Sequence, residues 1–357
     1  VEDARPRYEA MFAALESAGV DREDLMQAWD WRTASGDVLR GDLLAMRDDA
    51  LTHLTTDAIQ CTVDSVVEPD TGRVGRRVRG TFKVPLYMDA DATGSHLVRD
   101  AAGTPSFSGW ADVPFTVSIP RSLMGPDAEP GRLVQFGHGL MGQGSEELQS
   151  GFATRFSDDY SAVMLATDWQ GMTRTDLITV ARALSDLTQF SAVADRLLQG
   201  MVGQVALTRS FLGPCSDLPE LTVGGHPAYA DDAAYFIGIS QGGILGGTFL
   251  TISPDIERGA LLVGATNFPY TMTRSLNWRE YELILKAWYE GRVDRELGVA
   301  VIGSLWDRSE PNAWLPHLTA GDLPNTPPKR VLYQIARHDL QVQNLMSEVA
   351  VRDLGIP

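Results

Sequence analysis

Five residues, Gly238-Ile239-Ser240-Gln241-Gly242, set a serine hydroxyl between glycines two positions away on either side. The apolar run Tyr235, Phe236, Ile237 before them reads as a strand, and Gly243, Ile244, Leu245, Gly246, Gly247 after them as the opening of a helix. A serine on a sharp strand-to-helix turn is presented for attack on a carbonyl carbon. The flanking glycines permit the close backbone approach, and the helix N-terminus favours developing negative charge. Such chemistry needs further parts: a base to take the hydroxyl proton, an acid to orient that base, and two N–H groups to hold an oxyanion.

A second string, Gly137-His138-Gly139-Leu140, closes a predicted strand at 132–136. Of the two oxyanion donors, one is expected from the backbone of Gln241. The other is expected from Leu140, with Met141 as the alternative shifted by one residue. His138, by its place in this loop, is expected to be structural and to border the substrate pocket with Met141. Asp168-Trp169-Gln170-Gly171 ends another predicted strand, at 161–166, where ligands bind in open α/β sheets. Trp169 is there either a pocket-lining ring or a buried turn residue.

The acid is expected in His338-Asp339-Leu340-Gln341-Val342, after a strand predicted at 331–335. Asp339 fits the chain order in which the acid follows the nucleophile. The rival is Asp307, which neighbours Arg308 and is explained by a salt bridge to it; Asp255 is expected to be a cap or turn residue.

These strings together, GHGLMG, ATDWQGM, GISQGG, LWDRSEP and ARHDLQV, resemble the α/β-hydrolase superfamily over residues 131–357. Within it they are similar to large secreted bacterial esterases and lipases with a helical cap. The resemblance implies a mostly parallel eight-stranded sheet, a Ser–Asp–His triad without cofactor, ester substrates, and a secreted, periplasmic or cell-surface location. One departure stands out. The six histidines are His53, His96, His138, His226, His317 and His338, and none follows Asp339. The catalytic His is therefore expected beyond Pro357, in a C-terminal segment or a second chain that also completes the sheet. Two other readings stay open: an acyltransferase or peptidase on the same scaffold, and a binding or assembly protein with an impaired site.

The elements that must position these residues can be read from periodicity. Residues 1–57 read as a helical extension, with helices at 7–19, about 21–29 and 41–54. Residues 59–67, 76–84 and 113–119 read as antiparallel strands. From 131 onward strands alternate with helices, including a long helical region at 176–212, which predicts a parallel sheet covered on both faces. The core is expected over 58–266 and 329–357. Residues 267–328 break the rhythm and hold four of the eight tryptophans, Trp278, Trp288, Trp306 and Trp314, as expected of a cap or lid.

In 357 residues the formal net charge is −17. Such a surface repels nucleic acid and anionic lipid. There is no apolar run of membrane-spanning length and no CxxC or His-rich metal pattern. The two cysteines, Cys61 and Cys215, are compatible with a pair or with two buried thiols. The start at Val1, without Met or leader, reads as processed.

Overall fold

The computed structural model describes residues 2–30 and 33–356. The chain divides into two compact units, residues 1–38 and 39–357. In the first, α1 (Arg5–Ser17) has Pro6 in its first turn, and Gly19 stops it at φ +82°. The helix expected over 21–29 is absent. Only a single 3-10 turn, Arg22–Asp24, forms, and Leu25 is already extended. Met26 is fully exposed. With Met26 and Trp29 both exposed, so little apolar burial does not hold a helix this short.

The second unit is built on an eight-stranded sheet. Its strands are β1 (Cys61–Val67), β2 (Val74–Leu86), β3 (Gly109–Pro120), β4 (Gly131–Gly137), β5 (Ala162–Ala166), β6 (Tyr229–Ile239), β7 (Ile256–Leu262) and β8 (Arg330–Gln334). Their order across the sheet is β1-β2-β3-β5-β4-β6-β7-β8. The first three are antiparallel to their neighbours, and the five from β5 to β8 run parallel. A two-residue ribbon, Thr222–Val223 with His226–Pro227, stands apart.

Helices cover the two faces. They are α2 (Gly36–His53), α3 (Gly144–Glu147), α4 (Gly151–Asp159), α5 (Leu177–Ser185), α6 (Ser191–Phe211), α7 (Gln241–Ile252), α8 (Phe268–Met272), α9 (Trp278–Trp288), α10 (Arg292–Trp306), α11 (Leu315–Ala320) and α12 (Asn344–Asp353). The long helical region expected at 176–212 is two helices. Asp186 takes an extended backbone and its carboxylate accepts the Thr188 N–H, a local bond that competes with helix continuation.

The larger core joins Leu43, Met46 and Ala50 of α2 to β2, β3, α6 and α7. The opposite sheet face is smaller and rests on Leu148 and Phe156. It is covered unevenly. Ile237, Ala260 and Leu332 lie in one row across β6, β7 and β8, and exposure runs from 8% at Ile237 to 64% at Leu332.

Cys61 and Cys215 are joined in a disulfide that closes a loop of 154 residues, tying β1 to the turn after α6. Among the described residues no helix is long and apolar enough to cross a membrane.

Candidate functional site

Seven non-glycine residues have positive φ among the described residues, and four of them follow the carboxyl ends of adjacent strands: Met141 after β4, Ser240 after β6, Val263 after β7 and His338 after β8. Non-glycine residues are held there at a cost of about 1–3 kcal/mol each. The strain gathers on one edge of the sheet, where open α/β sheets bind ligands.

Ser240 is at φ 57°, ψ −120°, and α7 starts at the next residue. The strand feeding it is pinned through Ser240 N–H to Leu262 O at 3.0 Å. The flanking glycines have a specific cause. A Cβ on Gly238 would lie 2.0 Å from the Gly242 carbonyl oxygen, and one on Gly242 would lie 2.1 Å from that of Gly137. Two backbones therefore meet at the elbow, and only hydrogen fits between them.

The facing loop, 137–142, is fixed from three sides. Both carboxylate oxygens of Glu147 accept the Gly139 N–H, at 2.9 and 3.0 Å. His138 Nδ1 lies 2.9 Å from Gly139 O, and its Nε2 accepts the Trp169 N–H at 2.8 Å. The pair of contacts requires the neutral ring protonated on Nδ1. Burial pushes the His138 pKa below its ordinary value, against a smaller opposite pull from Asp168. Burial also raises the Glu147 carboxyl, opposed by its bond to Gly139. Asp168 ties the same loop down by accepting the Gly144 N–H at 2.8 Å and the Thr173 hydroxyl at 3.0 Å.

Gln241 joins loop and elbow. Its side chain is buried. Its Oε1 accepts the Met141 N–H at 3.4 Å, and its Nε2 donates to Met172 O at 2.9 Å. This distinguishes the two oxyanion candidates. The Met141 N–H already has a partner, whereas no hydrogen bond within the chain engages the Leu140 N–H among the described residues. The Gln241 N–H is in the first turn of α7, where amide donors lack intrahelical acceptors.

Of the two alternatives for Trp169, the structure shows the buried ring and not the pocket-lining one: it is 1% exposed, edge-on to Phe236 and Phe249 at 6.4 and 6.3 Å. The pocket-bordering place expected for His138 is corrected. Both its ring nitrogens are used by backbone groups, and it is fully buried. A hydrophobic ring beside a strand end serves the core as readily as a cleft, and the sequence pattern is the same for both. Met141 does line an apolar cavity, together with Leu140.

Asp339 is half-buried after β8, and its Oδ1 accepts the N–H groups of Gln341 and Val342 at 2.8 and 2.9 Å. The following Leu340 carbonyl accepts the Leu276 N–H from the segment between α8 and α9, at 2.8 Å. The explanation expected for Asp307 fails. Arg308 pairs instead with Asp42 at 3.1 Å and Asp195 at 2.9 Å. Asp307 lines a groove beside α9 and α10, and burial raises its carboxyl pKa. Asp255 forms a two-point ion pair with Arg209 rather than a simple turn. Glu310 had no sequence signal. It is fully buried, accepts the Asn267 N–H at 2.6 Å and the Asn312 N–H at 3.2 Å, and burial holds its pKa well above the usual carboxyl range.

No described histidine is hydrogen-bonded to Ser240 or Asp339. His53 stacks on Phe107 at 4.0 Å, His226 bonds to Pro227 O, and His317 pairs with Asp322 at 2.8 Å. His96 lies 3.8 Å from Asp195. His338 is exposed, with its backbone N–H on Asn344. No group of three or more potential metal ligands occurs among the described residues.

No protein-family model and no curated protein matches the chain. Solved structures do. Acetyl xylan esterase 1 from Thermoanaerobacterium sp. JW/SL YS485 is 11% identical, over 91% of this chain and 98% of that one, with a TM-score of 0.45. Acetyl xylan esterase from Paenibacillus sp. R4 is 13% identical, over 90% and 99%, with a TM-score of 0.43. An S-formylglutathione hydrolase from Agrobacterium tumefaciens is 12% identical, over 82% and 88%, with a TM-score of 0.39. The strand order, the crossover that places β5 before β4, and the strand–turn–helix at Ser240 give this chain an α/β-hydrolase fold.

Proposed function

We propose that the protein is a serine hydrolase of carboxylic esters, with Ser240 as nucleophile. The observation that carries this is the strained backbone of Ser240 at the N-terminus of α7, facing a loop whose Leu140 N–H has no hydrogen-bond partner among the described residues. Ser240 attacks the carbonyl carbon, and the N–H groups of Leu140 and Gln241 receive the oxyanion. A histidine takes the proton, oriented by Asp339. Of the two Asp339 oxygens, Oδ1 already has two N–H partners, so Oδ2 is the one offered to that ring.

The histidine is proposed to be supplied by a further segment or a second chain packed over the half-covered sheet face at Leu332. What supports that place is the gradient of exposure along one row of the sheet, from buried Ile237 to exposed Leu332. The disulfide supports a secreted or periplasmic setting, where such bonds persist. Residues 267–328, with α8 to α11, are proposed as the cap over the carboxyl edge.

The absence of a bonded histidine favours a second reading, a hydrolase fold that binds without turning over. A fluorophosphonate probe applied to the natural full-length protein separates the two. Covalent labelling lost in Ser240→Ala is expected; no labelling of a folded protein would leave only the binding reading.

A further inference from the structure

The cavity at the oxyanion-side loop has an entirely apolar lining. Leu140 and Met141 come from the loop after β4, Met172 and Phe190 from the segments flanking α5, and Val299 and Trp306 from α10. Neither Ser240 nor Gln241 lines it; the link to the elbow is that Gln241, next to Ser240, holds the backbone of two lining residues, through Met141 N–H and Met172 O. Its free volume is about 40 Å³. On that scale a single water needs roughly 10–15 Å³ and a benzene-binding cavity about 150 Å³, which leaves room here for about three waters or one to two carbons.

Trp306 is poorly placed to yield. Its ring stacks on Phe268 at 4.8 Å and 7°, and tilts against Phe190 at 5.2 Å. A longer chain has to displace a cluster of three rings, and overpacking of a formed apolar site is costly.

We propose that this cavity receives the acyl chain of the ester and restricts it to a short one, with Trp306 of α10 as the stop. The substrate class is thereby short-chain, uncharged acyl esters. The proposal rests on the assignment of Ser240 as nucleophile.

The test has two arms on the natural full-length protein. In the first, kcat/KM is measured on p-nitrophenyl esters from acetate to dodecanoate, for the native enzyme and for Trp306→Ala and Met172→Ala. Butyrate is expected to exceed octanoate at least tenfold in the native enzyme, since one methylene in an apolar pocket is worth about tenfold or more. Either enlarged variant should shift that ratio toward octanoate by at least tenfold. Met172→Ala keeps the test standing should Trp306→Ala not fold. In the second arm, binding of non-hydrolysable methyl ketones of five and eleven carbons to Ser240→Ala is followed by tryptophan fluorescence. A preference for the short ketone supports the cavity assignment without any chemistry. Hydrolysis with a flat chain-length profile, or a ratio unmoved in folded variants, overturns the acyl pocket and leaves Ser240 in place. A short-ketone preference in a protein that hydrolyses no ester overturns the Ser240 reading and leaves the pocket.

Discussion

The loop at 137–142 and the segment at 336–343 occupy the ends of β4 and β8 and are built in opposite ways. In the first, Glu147, His138, Asp168 and Gln241 each bond to backbone around the turn, so its amide directions are set before any ligand arrives. In the second, Asn344 and Leu276 hold the backbone at Ala336, His338 and Leu340, but among the described residues the Asp339 side chain is held by two N–H groups of its own turn alone, and Leu340 beside it is exposed. The difference teaches where preorganisation has been built. In the proposed mechanism, oxyanion stabilisation depends on fixed dipoles and gains from rigidity, while an acid that acts through a histidine is positioned only once that ring is present.

The largest test of this contrast is removal of the proposed nucleophile. Ser240→Ala should reduce hydrolysis of p-nitrophenyl butyrate by on the order of a million-fold, as in serine hydrolases where the triad acts as a unit, with Tm unchanged. Retention of a tenth of the activity with the same melting curve would move the chemistry away from the elbow. Next comes the acid. Asp339→Asn should cost about ten-thousand-fold through the histidine tautomer, whereas Asp307→Asn should leave kcat within a few-fold. The reverse order would place the acid in the cap.

The elbow and the loop facing it were legible in the sequence because glycine spacing encodes close approach. Gly238 and Gly242 are required by backbone atoms about 2 Å from where their Cβ atoms would be. The parallel half of the sheet was legible for a related reason, alternation of apolar runs with helical periodicity. What could not be read was which polar residue reaches which backbone group. Glu147, Gln241 and Glu310 act at long range or through buried turns, and no local pattern marks them. Trp169 and Trp306 show the same limit for rings, since one fills the core and the other lines a cavity although both are tryptophans at element ends. The break between α5 and α6 was missed because the apolar stripe continues across Asp186 in sequence while the backbone does not.

A smaller effect separates positioning from structure within the rigid half. Gln241→Ala keeps the backbone donor but frees Met141 and Met172 from their shared clamp. A misplacement of about 1 Å costs up to a hundredfold in rate, so kcat on the butyrate ester should fall roughly tenfold to a hundredfold with KM changed little. An equal loss in both parameters, or in Tm alone, would make Gln241 a packing residue.

The smallest expected effect is on stability rather than rate, and it asks whether the loop is locked by a neutral ring. His138 has one nitrogen on Gly139 O and the other accepting from Trp169 N–H. Protonation would turn that acceptor into a donor facing a donor. Burial lowers the pKa from its ordinary 6.5 in the folded chain, so below that pH the unfolded chain binds more protons at this site than the folded one. Stability from this group is therefore present above pH 6.5 and falls as the pH drops toward the depressed folded value. Buried Glu147 and Glu310, whose pKa values are raised, push the opposite way on acidification, so the total curve is a poor readout. The difference between the native protein and His138→Gln isolates the ring. Glutamine does not titrate, and the stability gap between the two should narrow on acidification by up to about 1.4 kcal/mol per pH unit for one proton. Urea unfolding at pH 7.0, 6.0 and 5.5 measures it. A gap that stays constant across that series would mean the folded loop accepts the proton as readily as the unfolded chain, and the rigidity assigned to this half of the site would have to come from Glu147 and Gln241 alone.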